Sequence, residues 1–423
     1  MNPRPPLLRR VRAQDISSSP AARIPDEVTA GARQIVESVQ AEGDTALRRC
    51  AEQFDGLAAG APLIHDRETL NRALHSLPPA QKDLLERVAE RIRRFALAQR
   101  ASLTDLSLPI PGGTAGHEVS PLAAAGCYAP GGRHPLPSSV LMTAVTARAA
   151  GVPTVVVACP DPAPIVLAAA AVAGADLLLA CGGAQAVAAM AYGTETLPAC
   201  DVVVGPGNVW VTAAKLMVES AVRTDGAAGP SELVVVADGS CNPRIVAADL
   251  LAQAEHDPLA RPILITLQNG VAEAVDEELT HQLPTLPTAE TARQALAGGC
   301  VVQVGSPEEA VTICNRLAPE HLQWNATGGN PPAGLRFYGG LFLGEGAAEV
   351  LGDYGAGPNH VLPTGGAGRR RGGLWVGDFL AIRTWLRLDR PAEAQELLRD
   401  TENLARLEGL EGHARAAAMR LDR

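Results

Sequence analysis

Two stretches near the N-terminus place apolar side chains at intervals of three and four residues. Residues 26–54 show this spacing with an interruption at Gly43 and Asp44, and residues 80–99 show a continuous apolar stripe opposite charged side chains. Such spacing predicts amphipathic helices in both stretches. The segment that follows, 101–126, is rich in Pro and Gly, and we predict no regular element there.

From about residue 127 the pattern changes to short apolar runs that alternate with Ala-rich stretches of helical length. Helices are predicted near 138–150, 163–173 and 185–192. Strands that alternate with helices of this length indicate parallel α/β units. The predicted strands are 154–158, 177–180, 202–204, 233–237, 263–266 and 301–304. At the C-terminus, residues 391–422 again have helical spacing but little apolar area, which predicts a tail that packs on another surface.

The composition argues against several classes of protein. The 423 residues carry a net charge of -10 without a basic face, which disfavours nucleic-acid binding. The N-terminus lacks an apolar signal segment, and Asp176 and two glycines interrupt the apolar stretch 165–193, so we expect no membrane association. The eight cysteines form no C-x-x-C pair, which is typical of reduced thiols in the cytoplasm.

Glycine-rich turns follow two of the predicted strands. One contains Gly182 and Gly183, and the other is the run Gly-Pro-Gly-Asn at 205–208. Glycine lets the backbone approach a ligand closely, and the start of the next helix offers free N–H groups to a phosphate. A third loop begins at Tyr128 and could place an aromatic ring against a flat cofactor. There is no G-x-G-x-x-G pattern, so ordinary turns remain an alternative for each of the three.

The stretch 249–258 is predicted to be a helix that Pro258 ends. Gln253 and His256 are three residues apart and would share one face of it. An amide oxygen and an imidazole on one face can supply half of a zinc site, although exposed polar residues on a helix are the alternative. The absence of an H-E-x-x-H motif argues against a zinc protease.

Two later stretches carry further titratable groups. Glu320 and His321 offer a carboxylate and an imidazole to one cleft, as acid–base catalysis requires, although neighbouring residues do not face one another on a helix. The Gly- and Pro-rich loop 352–360 carries Asp353 and His360, and loops on rigid scaffolds often hold functional residues.

Two other features have alternative interpretations. Cys127 precedes a Gly-rich turn and could act as a nucleophile, but a free cysteine is more often a small buried hydrophobic residue. The three arginines at 369–371 could hold an anionic ligand, but a solvated loop is the commoner structure for such a charge run.

Taken together, these stretches make the chain resemble the histidinol dehydrogenase family. The resemblance runs from about Val36 to the C-terminus, and ordered strings of this length are highly specific. The strings are GGAQAVAAMAYGTE (182–195), VVGPGNVWVTAAK (203–215), AGPSE (228–232), DLLAQAEHDP (249–258), APEHL (318–322) and GDYGAGPNHVLPT (352–364).

The resemblance implies an enzyme that oxidises L-histidinol to L-histidine through an aldehyde, with NAD accepting a hydride twice and one zinc ion in each site. His321 would take the hydroxyl proton as hydride leaves, and Glu320 would activate the water that attacks the aldehyde. His360 matches another functionally important position. The matching metal ligands are Gln253, His256, Asp353 and His413. The matching cofactor contacts are Tyr128, Gln185 and Asn208. The matching substrate contacts are Ser231, Gln253, His256, His321, Asp353, Glu408 and His413.

The pattern and the resemblance together imply an α/β fold of two incomplete Rossmann-like parallel domains with small N- and C-terminal helical extensions. The resemblance also implies a homodimer in which the C-terminal tail crosses to the partner subunit, so that the active sites are shared. The expected divisions are an N-terminal extension (1–24), a discontinuous α/β domain with the metal and acid–base residues (25–127 and 231–374), an inserted NAD-binding domain (128–230) and the tail (375–423).

Departures from the family pattern leave other functions open. The loop 368–373 lacks the serines that are common there, and residues 338–341 are also unusual. A paralogous zinc- and NAD-dependent dehydrogenase for another small alcohol is therefore one alternative, although Ser231 and Glu408 are retained. A non-catalytic protein that binds small molecules is a second alternative, but it should have lost Glu320 or His321.

Overall fold

The computed structural model describes residues 6–17, 24–131, 135–226 and 229–421. Within these residues the chain forms two six-stranded sheets, one three-stranded sheet and the helices that cover them. This is an α/β architecture with parallel sheets, as the alternation of apolar runs and helical stretches predicts. No helix among the described residues combines the length and the apolar content that crossing a membrane requires.

The strands are β1 (Arg9–Val11), β2 (Ile64–Asp66), β3 (Leu106–Ile110), β4 (Gly113–Pro121), β5 (Ala124–Tyr128), β6 (Thr154–Ala158), β7 (Leu177–Leu179), β8 (Val202–Val204), β9 (Arg223–Thr224), β10 (Glu232–Ala237), β11 (Arg261–Thr266), β12 (Cys300–Gln303), β13 (His321–Trp324), β14 (Gly340–Leu343) and β15 (Leu380–Leu388).

The helices are α1 (Asp26–Glu42), α2 (Asp44–Phe54), α3 (Arg67–Ser76), α4 (Pro79–Ala101), α5 (Pro137–Val140), α6 (Thr146–Ala150), α7 (Pro164–Ala173), α8 (Gly183–Tyr192), α9 (Val209–Val218), α10 (Pro243–Ala254), α11 (Val271–Gln282), α12 (Ala289–Gly298), α13 (Pro307–Leu317), α14 (Ala326–Gly329), α15 (Glu349–Asp353), α16 (Gln395–Leu407) and α17 (Glu411–Ala418). A π-helical turn, Leu141–Val145, joins α5 to α6.

Sheet I has the strand order β2-β7-β6-β5-β8-β9. Its neighbouring strands are parallel except for β2, which is antiparallel to β7. The inner strands are runs of Val, Leu and Ala whose side chains enter apolar clusters on both faces, as expected for a parallel sheet covered by helices. After β5, the chain adds β6 and β7 on one side of that strand and then β8 and β9 on the other side. The carboxyl ends of β5 and β8 therefore flank the position where open α/β sheets bind ligands.

Sheet II has the strand order β1-β12-β11-β10-β13-β14, and its strands are parallel throughout. In its register, His321 at the start of β13 lies opposite Leu233 of β10 and Gly340 of β14. The edge strand β1 comes from the N-terminal extension, which was expected to be helical. That expectation is wrong for the described residues 6–17, because pairing with β12 provides partners for this short polar strand.

Sheet III is antiparallel and consists of β15, β4 and β3. It occupies much of the segment 101–126, for which we predicted no regular element, so that prediction is wrong. The physical reason is that β4 pairs along its whole length with β15, which lies more than two hundred residues later in the chain. Long-range pairing of this kind outweighs the weak local propensity of a Pro- and Gly-rich segment.

The helices predicted from periodicity are present. α1 and α2 cover residues 26–54 and are separated at Gly43, whose φ of 54° suits a residue without a side chain. α4 covers 80–99, and β6 and β8 have the predicted bounds. The tail contains α16 and α17, which pack against each other.

The sheets divide the chain differently from the expected domain edges. Residues 25–127 were expected to accompany 231–374, yet β2 belongs to Sheet I and α1 packs on α8 and α9 beside that sheet. The expected grouping is therefore wrong for these N-terminal elements. Their partners lie about one hundred residues or more away in sequence, so local patterns could not assign them.

Candidate active site

Glu320 and His321 lie where α13 leads into β13 at the centre of Sheet II. α13 ends at Leu317, and the left-handed backbone of the next residue, Ala318 (φ 46°), turns the chain toward the strand. Both side chains are buried. The Glu320 Oε2 atom accepts a hydrogen bond of 2.8 Å from the backbone N–H of Glu232, and it lies 3.6 Å from Nδ1 of His321. The two residues are thus in contact, which their positions as neighbours in the sequence gave no reason to expect.

Asp353 approaches His321 from the other side. Its Oδ1 lies 3.5 Å from Nε2 of the imidazole, and its backbone oxygen lies 2.9 Å from Nδ1 of His360. Burial disfavours the protonated imidazole, but the Glu320 and Asp353 carboxylates outweigh it and raise the pKa of His321 well above its usual value. Burial would likewise raise the pKa of Asp353, but its contact with His321 keeps that pKa below the usual value.

Two cavities meet at these residues. The larger, of about 350 Å³, is lined in part by His321, Asp353 and His360. The smaller, of about 230 Å³, is lined in part by Ser231, Glu320 and His360, and it reaches the Gly-Pro-Gly turn that follows β8. A substrate in one cavity and a cofactor entering from Sheet I could therefore meet at the Glu320–His321 pair.

The predicted metal ligands are only partly assembled. Gln253 lies in the last turn of α10 with its side chain buried, and its Nε2 has no hydrogen-bond partner among the described residues. α10 packs on α15, the helix that ends at Asp353, so the chain that follows α10 lies near this carboxylate. His256 is exposed and lies two residues beyond α10, so the predicted helix 249–258 is wrong at its C-terminal end.

The tail residues stand apart from this group. His413 in α17 and Glu408 after α16 are both exposed. Among the described residues, no three His, Cys, Asp or Glu side chains are close enough to hold a metal ion. A single chain therefore does not bring His413 together with His256 and Asp353.

The three predicted cofactor contacts follow strands of Sheet I. Tyr128 ends β5, and its hydroxyl oxygen accepts a hydrogen bond of 3.2 Å from the N–H of Gly183. Gln185 lies buried in the first turn of α8. Asn208 is the N-cap of α9, where its Oδ1 accepts from the N–H groups of Trp210 and Val211. All three thus lie at carboxyl ends of strands.

Several polar residues around the site were not predicted. Lys215 is buried, and its Nζ donates to the backbone oxygen of Gly205. The same Nζ lies 2.5 Å from Oδ1 of Asp225. Asp225 also accepts from the N–H of Gly205 at 2.7 Å, so the pair fixes the turn before Asn208. The string VVGPGNVWVTAAK contained Lys215, but nothing in it indicated the ion pair.

A second unpredicted group lies behind the metal ligands. Glu349 is buried, neither of its carboxylate oxygens has a hydrogen-bond partner among the described residues, and burial raises its pKa to about 8. Burial also raises the pKa of Asp249 to about 6, although this carboxylate accepts a hydrogen bond of 2.6 Å from Gln323. Glu349 stands four residues before Asp353, and Asp249 stands four residues before Gln253. Residues four apart share one helical face, so this spacing in the sequence could have indicated both carboxylates.

The two features with alternative interpretations are structural. Burial raises the pKa of Cys127 to about 12, so its thiol is not an activated nucleophile. Arg369 donates to the backbone oxygens of Asn315 and Arg316 in the last turn of α13, and its guanidinium lies over the ring of Phe337. The arginine run thus secures a loop to the end of a helix.

Comparison with known proteins gives a consistent family. The family model described as histidinol dehydrogenase matches residues 20–421. Histidinol dehydrogenase of Thermus thermophilus is 46% identical over 390 residues, which cover 92% of this chain and 93% of the relative. That of Pseudomonas savastanoi is 42% identical over 406 residues, which cover 94% of this chain and 90% of the relative.

Solved structures agree with the sequence comparisons. The crystal structure of histidinol dehydrogenase from Elizabethkingia anophelis superposes with a TM-score of 0.93 and covers 99% of both chains at 29% identity. The family model and the relatives each extend over more than nine-tenths of the chain. The chain therefore belongs to the histidinol dehydrogenase family.

Proposed function

We propose that this protein oxidises L-histidinol to L-histidine in two successive NAD-linked steps, with the aldehyde as the intermediate. The observation that carries the proposal is the buried Glu320–His321 pair, which Asp353 contacts at the junction of two cavities. An alcohol oxidation that continues to the acid needs a base for the hydroxyl proton and a base for water. The pair supplies one group for each.

The surroundings of each group suit a separate role. His321 is placed to take the hydroxyl proton from a substrate in the larger cavity when its imidazole is neutral. Coordination of Asp353 to a metal ion would draw away one of the two carboxylates that raise the pKa of His321, and so would favour the neutral form. Glu320 lines the smaller cavity, and the N–H of Glu232 fixes one of its oxygens. We assign to Glu320 the activation of the water that attacks the aldehyde.

The donor set next to this pair fits a zinc ion. Gln253, His256 and Asp353 offer an amide oxygen, an imidazole and a carboxylate; imidazole and carboxylate are common zinc ligands, and zinc is usually held by four ligands. The amide of Gln253 is buried, and its Nε2 has no hydrogen-bond partner among the described residues, so no bond from Nε2 prevents the amide from turning its oxygen toward the ion. When bound, zinc would polarise the amino and hydroxyl groups of the substrate, and NAD would accept the hydride of each oxidation.

We propose that the fourth ligand comes from a second subunit. α16 and α17 pack on each other, yet they leave apolar side chains exposed, including Leu407 at 86% and Met419 at 74%. A polar tail with an unburied apolar face needs a further surface. In a homodimer with exchanged tails, His413 of the partner subunit would complete the metal site, and Glu408 of the partner subunit would contact the substrate.

Complementation between two inactive variants tests the shared site. A His256→Ala chain and a His413→Ala chain, each inactive alone, should recover activity when they are mixed under conditions that exchange subunits. In the heterodimer one site carries both defects and the other carries neither, so up to about half of the heterodimer's sites should work. No recovery in verified heterodimers would show that each chain supplies its own His413.

The proposed substrate is tested directly by a comparison of alcohols. NADH formation should be fastest with L-histidinol and much slower with a panel of other small primary alcohols. The alternative, a paralogous dehydrogenase, predicts the opposite preference, and the departures at 338–341 and 368–373 make the comparison necessary. Absence of NADH formation with every alcohol would overturn the proposed activity.

We also propose that the enzyme works in the cytoplasm. All eight cysteines are free thiols, and seven of them are buried. Unpaired cysteines in this number are typical of a reducing compartment.

A further inference from the structure

Asp55 connects the N-terminal helices to the turn that precedes α8. It directly follows α2, a helix that contributes none of the predicted site residues, and α2 packs against α8. The Asp55 carboxylate points at residues 181–185, between β7 and the first turn of α8. Asp55 belongs to none of the strings by which the chain resembles its family.

Three donors from this turn converge on one oxygen of Asp55. Oδ2 accepts from the backbone N–H of Gly182 at 2.9 Å, from Nε2 of Gln185 at 3.1 Å and from Sγ of Cys181 at 3.3 Å. Hydrogen bonds to a carboxylate are stronger than those to a neutral acceptor. A single charged group therefore fixes the backbone of the turn and the side chain of Gln185 together.

The contact with Asp55 also determines which way the Gln185 amide faces. An ionised carboxylate only accepts hydrogen bonds, so Gln185 must turn its nitrogen toward Asp55. Its oxygen then lies over Gly183, where a Cβ atom would come within 2.6 Å of it. A glycine suits this position for two reasons. Its φ of 60° is one that other residues rarely adopt, and the absence of a side chain leaves room for the amide oxygen.

The same turn reaches Tyr128. The N–H of Gly183 donates to the Tyr128 hydroxyl oxygen at 3.2 Å. Two of the three proposed cofactor contacts, Tyr128 and Gln185, therefore depend on a turn that Asp55 holds from outside.

We propose that Asp55 is a positioning residue for the cofactor: it holds the Gln185 amide so that Oε1 accepts a hydrogen bond from a donor of the dinucleotide, a ribose hydroxyl or a carboxamide N–H. This inference rests on the proposed function, in which NAD is the cofactor. Asp55 itself need not touch NAD. A purely structural role for Asp55 would alter stability without selecting the cofactor over the substrate.

Direct titration of NAD into purified protein is the first test, with steady-state kinetics beside it. Asp55→Ala should weaken NAD binding by about tenfold, the effect of losing one hydrogen bond to a charged group. Asp55→Asn can still accept the three hydrogen bonds but has no charge, and it should weaken binding less. The kcat at saturating NAD and the KM for histidinol should change by less than about threefold. Glu52→Gln is the control, because Glu52 is an exposed carboxylate in the last turn of α2, the helix that Asp55 follows, and lies 3.9 Å from Arg48.

An exchange of the two groups tests the orientation of the amide. Gln185→Glu alone places two carboxylates together and should weaken NAD binding more than Asp55→Ala does. The double variant Asp55→Asn, Gln185→Glu removes the repulsion between two carboxylates, while the amide oxygen that Asp55→Asn introduces can still accept from the N–H of Gly182, and it should bind NAD more tightly than Gln185→Glu alone.

Each result decides between the claims. A double variant no better than Gln185→Glu, or Asp55→Asn and Asp55→Ala variants with wild-type NAD affinity, would overturn the positioning role. If Asp55→Ala fails to fold, the exchange pair and Asp55→Asn still decide. A wild-type protein that neither binds nor reduces NAD would instead overturn the proposed function on which this inference rests.

Discussion

The buried pair Lys215–Asp225 provides a quantitative test of how the turn between β8 and α9 is held. The Lys215 side chain is 2% exposed and that of Asp225 is 5% exposed. In Lys215→Met, the Asp225 carboxylate would remain buried. Its Oδ1 would lose Lys215, and its Oδ2 would still accept from the N–H of Gly205. Removal of one partner from a buried ion pair costs about 3–5 kcal/mol, because the remaining charge is uncompensated. That loss is a large part of a typical unfolding free energy of about 5–15 kcal/mol.

Urea denaturation measures this loss as a lower midpoint at an unchanged slope. The only other lysine, Lys82, provides a matched control. Its side chain is 37% exposed and lies 3.8 Å from Glu86 at the surface, so Lys82→Met should cost less than about 1 kcal/mol. The double variant Lys215→Met, Asp225→Asn removes the buried charge and should recover part of the stability. The reasoning is refuted if Lys215→Met costs no more than Lys82→Met.

Three further predictions concern the site. Glu320→Gln should slow oxidation of the aldehyde by about 10²–10⁴-fold and slow aldehyde formation less, in separate assays of the two half-reactions; equal slowing would contradict the assigned roles. Chelation should abolish activity and zinc should restore it, and His256→Ala should reduce bound zinc, measured by metal analysis, far more than His281→Ala on the exposed face of α11; an active metal-free enzyme would contradict the zinc site. Because the pKa of Glu349 rises to about 8 in the folded protein from an ordinary 4.5, its burial reduces stability as pH increases from 4.5 to 8. The unfolding free energy of Glu349→Gln, relative to that of the wild type, should therefore increase with pH across that interval, by on the order of 1 kcal/mol per pH unit. Urea denaturation at several pH values measures this difference. A difference that does not depend on pH would show that Glu349 is ionised in the folded protein.

Much of Sheets I and II could be predicted from sequence because their inner strands are continuous apolar runs. β6 and β8 have the bounds that their Val content predicts, since both faces of a parallel sheet are covered. Sheet III could not be predicted, because β4 contains glycines and its partner β15 lies far away in sequence. The same limit applies to β2, which joins Sheet I through β7.

The site shows the same division between local and distant information. The identities of Glu320, His321 and Asp353 were available because they lie in strings that resemble a family. Their contacts were not available, since spacing on a helix gave no reason for Glu320 to touch His321. Asp55 escaped notice entirely, because its importance lies in hydrogen bonds to residues more than 120 positions away.

The most direct test of the central claim is the stoichiometry of the complete reaction. With L-histidinol limiting and NAD in excess, the account predicts two NADH for each L-histidinol consumed and L-histidine as the final product, identified by mass spectrometry. One NADH for each histidinol with accumulation of the aldehyde, or no reduction of NAD by histidinol, would contradict it.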